Sequence, residues 1–126
     1  MTNTELLQMA KDISKRAYSP YSGVCVGAAL EVRTGKIYTG VNVENSSYGA
    51  TICAERTAAV KAVSEGEREF VRIAVAGSIN NLVPCGMCRQ FLSEFCTDMV
   101  VIYEDEEGTM VETSLSQLFP CGFSLN

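Results

Sequence analysis

Residues 71–103 read VRIAVAGSINNLVPCGMCRQFLSEFCTDMVVIY, and their pattern decides the fold. Val71 to Ala76 is an apolar run, interrupted by Arg72 alone and rich in β-branched residues, as expected of a strand buried on both faces. Gly77 to Pro84 is a loop of turn-forming residues. Pro84 then opens a helix over Cys85 to Phe95, because proline is tolerated at a helix start. Met99 to Tyr103 is a second apolar strand. A strand, a helix and a strand in about thirty residues form a βαβ unit, which calls for parallel strands covered by helices.

Working outward from this unit, Cys53 to Glu65 is helical and Gly66 stands at the expected stop. Upstream, Val24 to Val32 and Ile37 to Val43 are strand-like runs joined by Arg33-Thr34-Gly35-Lys36, which makes a hairpin. Asn42 to Ile52 is a polar, small-residue loop. At the start of the chain, Leu6, Leu7, Ala10, Ile13 and Ala17 recur at three- and four-residue spacing, so they mark a helix capped by Asn3 or Thr4. Tyr18 to Gly23 is a loop. Downstream, the acidic Glu104 to Gly108 turns, Thr109 to Glu112 is a short edge strand, and Ser114 caps a short helix ending at Phe119. Pro120 to Asn126 is a tail. This order predicts an α/β sandwich whose sheet is largely parallel in its second half.

The 126 residues are 47% hydrophobic and 20% charged, as in a globular chain, and predict one domain over 1–126. A net charge of −5 disfavours nucleic acid as a partner, since an acidic chain is poorly suited to holding a polyphosphate by counterion release. The chain has no histidine, which excludes Ser-His and Cys-His catalytic pairs and histidine zinc ligands. Any proton transfer then falls to a carboxylate, thiol, lysine or tyrosine. Met1 to Ala10 holds no signal-peptide core, and no run reaches membrane-spanning length. The expectation is therefore a cytoplasmic protein with no membrane partner and with reduced thiols. In that setting clustered cysteines serve metals or catalysis.

Cys53 stands at one helix start, and Cys85 and Cys88 at another. In a parallel α/β sheet both starts lie at the edge where ligands bind. Helix N-termini favour anions and lower thiol pKa values. Three converging thiolates would give a three-ligand zinc site with an open fourth position, the catalytic arrangement. Glu55 is a candidate proton carrier, but residues i and i+2 of a regular helix point to nearly opposite sides, so spacing leaves the pairing open. Taken singly, these residues also have plainer readings. Cys85 and Cys88 fit a redox pair. Glu55 fits a first-turn carboxylate favoured by the helix dipole. Arg56 and Arg89 fit solvated charges, Asn42 and Glu44 turn residues, and Phe123 a core residue.

The stretches Cys53-Ala54-Glu55-Arg56-Thr57-Ala58 and Pro84-Cys85-Gly86-Met87-Cys88-Arg89-Gln90 together resemble the small homotetrameric cytidine deaminases of the three-cysteine zinc type. Tyr18-Ser-Pro-Tyr-Ser22, Val26-Gly-Ala-Ala-Leu30, Gly40-Val-Asn-Val-Glu-Asn45 and Leu118-Phe-Pro-Cys-Gly-Phe123 resemble that family in order and spacing, so the likeness runs nearly end to end. It implies a three-layer α-β-α sandwich with a mixed five-stranded sheet. It also implies one Zn2+ per subunit on Cys53, Cys85 and Cys88, and hydrolytic deamination of cytidine and 2′-deoxycytidine in pyrimidine salvage. Glu55 would take the proton of the attacking water, protonate N3 and later pass a proton to the leaving ammonia. The backbone at Ala54 and Pro84-Cys85 would meet the base edge, Asn42 and Glu44 the ribose hydroxyls, and Tyr48 and Phe123 a neighbouring subunit's site.

Three thiolates carry more charge than zinc, which would weaken its Lewis acidity. Arg56 and Arg89, close to the ligands in sequence, are expected to offset this by donating to ligand sulfurs. Val24 stands where the family usually has an aromatic residue packing on the base, and Cys25 where it often has proline. Asn81-Leu82-Val83 lacks the serine usual before the following proline. Cys25, Cys96 and Cys121 are expected to serve packing. Three alternatives are a deaminase of the blasticidin S type, a Cys-x-x-Cys redox protein, and a structural zinc module without turnover.

Overall fold

The structure is a computed structural model that describes residues 1–125. Strands β1 (Val26–Val32), β2 (Ile37–Val41), β3 (Phe70–Gly77), β4 (Val100–Glu104) and β5 (Met110–Ser114) form one sheet in the order β2-β1-β3-β4-β5. The helices are α1 (Asn3–Ile13), α2 (Ala54–Ser64), α3 (Gly86–Ser93) and α4 (Leu115–Leu118). β1 is antiparallel to both β2 and β3, β3 is parallel to β4, and β4 is antiparallel to β5. The sheet is mixed, and β3–β4 is the one parallel neighbour pair, fewer than the alternation of elements predicts. The reason is topological. β1 inserts between β2 and β3, and the turn through Gly108 (φ 82°) is too tight to return β5 in parallel.

β2 and β3 nonetheless run the same way, because each opposes β1. α2 follows β2 and α3 follows β3, so both helices start at one edge of the sheet, where ligands bind in such folds.

Side chains alternate across the strands and sort into two cores. Ala28, Leu30, Val32, Ile73, Val75 and Val101 face the alanine stripe of α2 (Ala54, Ala58, Ala59, Ala62) and Leu92 of α3. Ala29, Ala74, Ala76 and Ile102 face Leu6, Leu7 and Ala10 of α1. Helices therefore cover both sides, giving the three-layer sandwich. The layers meet closely at two glycines. A Cβ on Gly40 would come within 2.4 Å of Ala58 N and 2.5 Å of Ala54 O, and one on Gly27 within 2.0 Å of Ala10 O. Gly40 thus lets the first turns of α2 rest directly on β2.

The ends of elements differ from the sequence pattern for local reasons. α1 is capped by Thr2, not Asn3 or Thr4: its Oγ1 accepts from Glu5 N at 3.1 Å, and Glu5 Oε1 accepts from Thr2 N at 2.9 Å. α1 stops at Ile13, and Ser14–Arg16 tighten into a 3-10 turn. β1 starts at Val26, not Val24, because the Asn42 side chain takes the place of the ladder: Nδ2 donates to Val24 O at 2.9 Å and Oδ1 accepts from Val26 N at 2.8 Å. Cys96 packs against the core, whereas Cys121 is exposed and so is not a packing residue. Asn126 of the predicted tail lies outside the described residues. Among the described residues no helix is long and apolar enough to cross a membrane.

Candidate zinc and substrate site

Cys53 and Cys85 are the N-cap residues of α2 and α3, both in extended backbone, and neither side chain caps its helix. Both thiols are free to turn into the gap between the two helix starts. Cys88, on the first turn of α3, is fully buried. The three Sγ atoms lie within 4.8 Å of one another, and Cys53 and Cys85 are 3.8 Å apart. A tetrahedral zinc with bonds of about 2.3 Å sets its sulfurs about 3.8 Å apart, so number, softness and spacing of the donors all fit this ion. Without metal, the Cys88 thiol donates to Cys53 and draws it down to about 5, with help from Arg56 and Cys85. Cys88 is pushed up in turn, because as the donor it must keep its proton.

Arg56 Nη2 lies 3.8 Å from Cys53 Sγ and 3.5 Å from Thr51 O, close to the expected position, while its buried Nε has no hydrogen-bond partner. Arg89 behaves differently. Its Nε donates to Pro84 O at 2.7 Å and its Nη1 to Leu118 O at 2.9 Å. Its hydrogen bonds thus go to backbone carbonyls, where a ligand sulfur was expected. The side chain follows Cys88 in sequence but leaves the helix toward the other side of the loop.

Glu55 is 4% exposed, and burial pushes its carboxyl up to about 7. It lines a cavity of about 260 Å³ together with Cys53, Ala54 and Cys85. The i, i+2 objection dissolves here, because α2 begins at Ala54 and Cys53 stands outside the helical repeat. Val24, Val26, Ile52, Val75, Leu82 and Val83 form the apolar wall of the cavity. Such a space suits a small planar ring held by a few polar groups.

Of the residues predicted to meet substrate, Ala54, Val24 and Asn42 line this cavity. Asn42 also carries the wall, through its bonds to Val24 and Val26. Glu44 stands behind Ser22. Its Oε1 accepts from Tyr21 N at 2.9 Å and Ser22 N at 3.1 Å, and its Oε2 from the Ser22 hydroxyl. These bonds, the Ser22 hydroxyl foremost, hold its pKa below the usual value. Tyr48 is 77% exposed and meets Tyr21 edge-on at 6.0 Å. Phe123 is 70% exposed and lies outside the core. Sequence reasoning missed Ser22, Thr51 and Leu82, and the apolar Val26, Ile52, Val75 and Val83, as lining residues. Ser22 and Val26 had a signal, since they belong to the quoted Tyr18–Ser22 and Val26–Leu30 stretches, but nothing in the sequence set the others beside the site.

Residues 1–104 match the family described as the cytidine and deoxycytidylate deaminase zinc-binding region. The chain belongs to this family. A cytidine deaminase from Sporosarcina psychrophila is 45% identical over 122 residues, covering 95% of this chain and 90% of that protein. A blasticidin-S deaminase from Bacillus cereus is 36% identical over 110 residues, covering 80% and 78%. The crystal structure of cytidine deaminase from Burkholderia pseudomallei superposes with a TM-score of 0.91 at 42% identity, covering 98% of this chain and 100% of that one. The family is one of zinc-binding deaminases, which are hydrolases, and Cys53, Cys85 and Cys88 form a group that can hold the ion.

Proposed function

We propose that the chain hydrolyses cytidine and 2′-deoxycytidine to uridine and 2′-deoxyuridine with release of ammonia. The observation that carries this reading is a buried carboxyl, Glu55, facing the same small apolar cavity as Cys53 and Cys85 of the three-thiol cluster. Cys53, Cys85 and Cys88 would hold zinc, which when bound supplies Lewis acidity to activate water. Glu55 takes one proton from the attacking water and delivers it to N3 of the base, then carries the remaining hydroxyl proton to the C4 amino group, whose bond to C4 breaks as ammonia leaves. Its burial excludes competing bulk water and orients the carboxyl without cost at the moment of reaction. Val24, Val26 and Leu82 press on the faces of the ring, and the backbone at Ala54 and Pro84-Cys85 reads its edge. Asn42 contacts the ribose and Glu44 acts on it through Ser22. Arg56 draws charge from Cys53, which keeps the metal electrophilic.

The same reading makes the protein a single-domain cytoplasmic homotetramer working in pyrimidine salvage, with Tyr48 and Phe123 serving a neighbouring subunit's site. The large exposure of both rings supports this assignment. A second reading, deamination of a cytosine nucleoside analogue of the blasticidin S type, is favoured by Val24, which leaves more room over the base than an aromatic ring. The test is loss of cytidine absorbance with zinc-loaded protein, with and without chelator. Turnover that stops on chelation and returns with zinc supports the proposal. Zinc-loaded protein inert toward both cytidine and deoxycytidine overturns it, and turnover of blasticidin S alone selects the second reading.

A further inference from the structure

Two side chains that directly follow Cys88 reach away from the thiols to the end of the chain. Gln90 Nε2 donates to Phe123 O at 2.9 Å, and Gln90 Oε1 accepts from Phe123 N at 3.1 Å. One amide thereby satisfies both backbone groups of a residue whose ring is 70% exposed. Arg89 Nη1 donates to Leu118 O at 2.9 Å, and its Nε to Pro84 O at 2.7 Å, beside Cys85. Between these anchors the segment folds on itself: a Cβ on Gly122 would stand 2.7 Å from the Phe119 ring. Both ends of residues 118–123 are thus fixed to the helix that carries Cys88, within two residues of that cysteine, and one anchor also grips the loop that carries Cys85.

We infer that Gln90 and Arg89 are positioning residues that couple the order of the C-terminal segment, and the presentation of the Phe123 ring, to the metal-binding loop. The inference rests on the reading of Cys53, Cys85 and Cys88 as zinc ligands. Anything that tightens the Pro84–Cys88 loop tightens the segment. By linkage, an ordered segment strengthens metal retention by the same factor. The amide is suited to this as a carboxylate is not, because only an amide both gives and takes a hydrogen bond at one backbone site.

The chain contains no tryptophan, so Phe123→Trp introduces a single indole, excited selectively beyond tyrosine absorption, whose main-chain bonds to Gln90 are unchanged. Its anisotropy is expected to fall when zinc is removed by a chelator and to recover on reloading. Adding Gln90→Ala is expected to abolish that zinc dependence and to weaken zinc retention about fivefold in competition with a chromophoric chelator, the low end of ordinary coupling. Should Gln90→Ala fail to fold, Gln90→Glu keeps the size and the bond from Phe123 N but sets an oxygen against Phe123 O, and the same loss is expected. Anisotropy indifferent to zinc, or zinc dependence and retention intact in the Gln90 variants, overturns the inference. These readouts need no substrate, so a zinc-binding protein without turnover refutes the proposed reaction alone, whereas a protein that takes up no zinc refutes both.

Discussion

Among the described residues, each of the four α-helices begins with a residue pair at the cap and third positions, and the pairs are of two kinds. Thr2 with Glu5 on α1 and Ser114 with Gln117 on α4 are reciprocal capping boxes, in which each side chain bonds the other's backbone N–H. Cys53 with Arg56 on α2 and Cys85 with Cys88 on α3 occupy the same two positions, and neither cysteine caps. A hydroxyl cap contributes about 1 kcal/mol to a helix. α2 and α3 forgo it at the two ends that share an edge of the sheet and face the cavity. The helix dipoles there remain available to stabilise negative sulfur. Local stability is spent where chemistry needs exposed donors and kept where the helix only supports the sheet.

The contrast can be broken at several points, beginning with the largest effect. Glu55→Gln is expected to lower ammonia release from cytidine by about 10²–10⁴-fold, measured by the absorbance assay, with zinc content by metal analysis unchanged. Loss of zinc in that variant would make the carboxylate a ligand and recast the site. Arg56→Ala should weaken zinc retention by about 10–100-fold in chelator competition, because the Arg56 guanidinium approaches the Cys53 sulfur. Full retention would show that the helix dipoles alone suffice. Thr2→Ala should cost about 1 kcal/mol in urea unfolding and leave kcat and KM unchanged, since it removes a cap on the face without chemistry. Cys53→Ser should do the reverse in the metal-free protein: a new hydroxyl cap raises stability by about 0.5 kcal/mol while zinc retention collapses. A metal-free Cys53→Ser protein no more stable than its parent would mean the cap position is shaped for the ion, not merely left uncapped.

Sequence carried most of the fold because its strands are short apolar runs and its helices end at legible stops such as Gly66. It carried the metal cluster because three cysteines at two helix starts are an uncommon pattern with a direct chemical meaning. The parallel content of the sheet was not legible. It depends on β1 sliding between β2 and β3, which is a matter of long-range pairing. Arg89 shows a second limit, since a long side chain can reach in several directions and only the tertiary setting chose Pro84 and Leu118 over a sulfur. Asn42 shows a third. Its place beside the cavity could be read from the quoted stretch, but its two side-chain bonds to the backbone of Val24 and Val26 could not, because those partners lie eighteen and sixteen residues away.

The insertion of β1 between β2 and β3 also governs the order of events during synthesis. β1 and β2 pair locally, but β1 cannot gain its other neighbour until Phe70 to Gly77 exist, and Val26 then pairs with Gly77. Until that closure, the alanine stripe of α2 has only part of its floor and Glu55 faces no enclosed cavity. Non-local pairing of this kind carries a loop-closure cost before contacts repay it. A nascent chain halted before β3 would expose both alanine-lined surfaces to its neighbours, so the stretch from Phe70 onward decides solubility on the ribosome as well as the shape of the finished site.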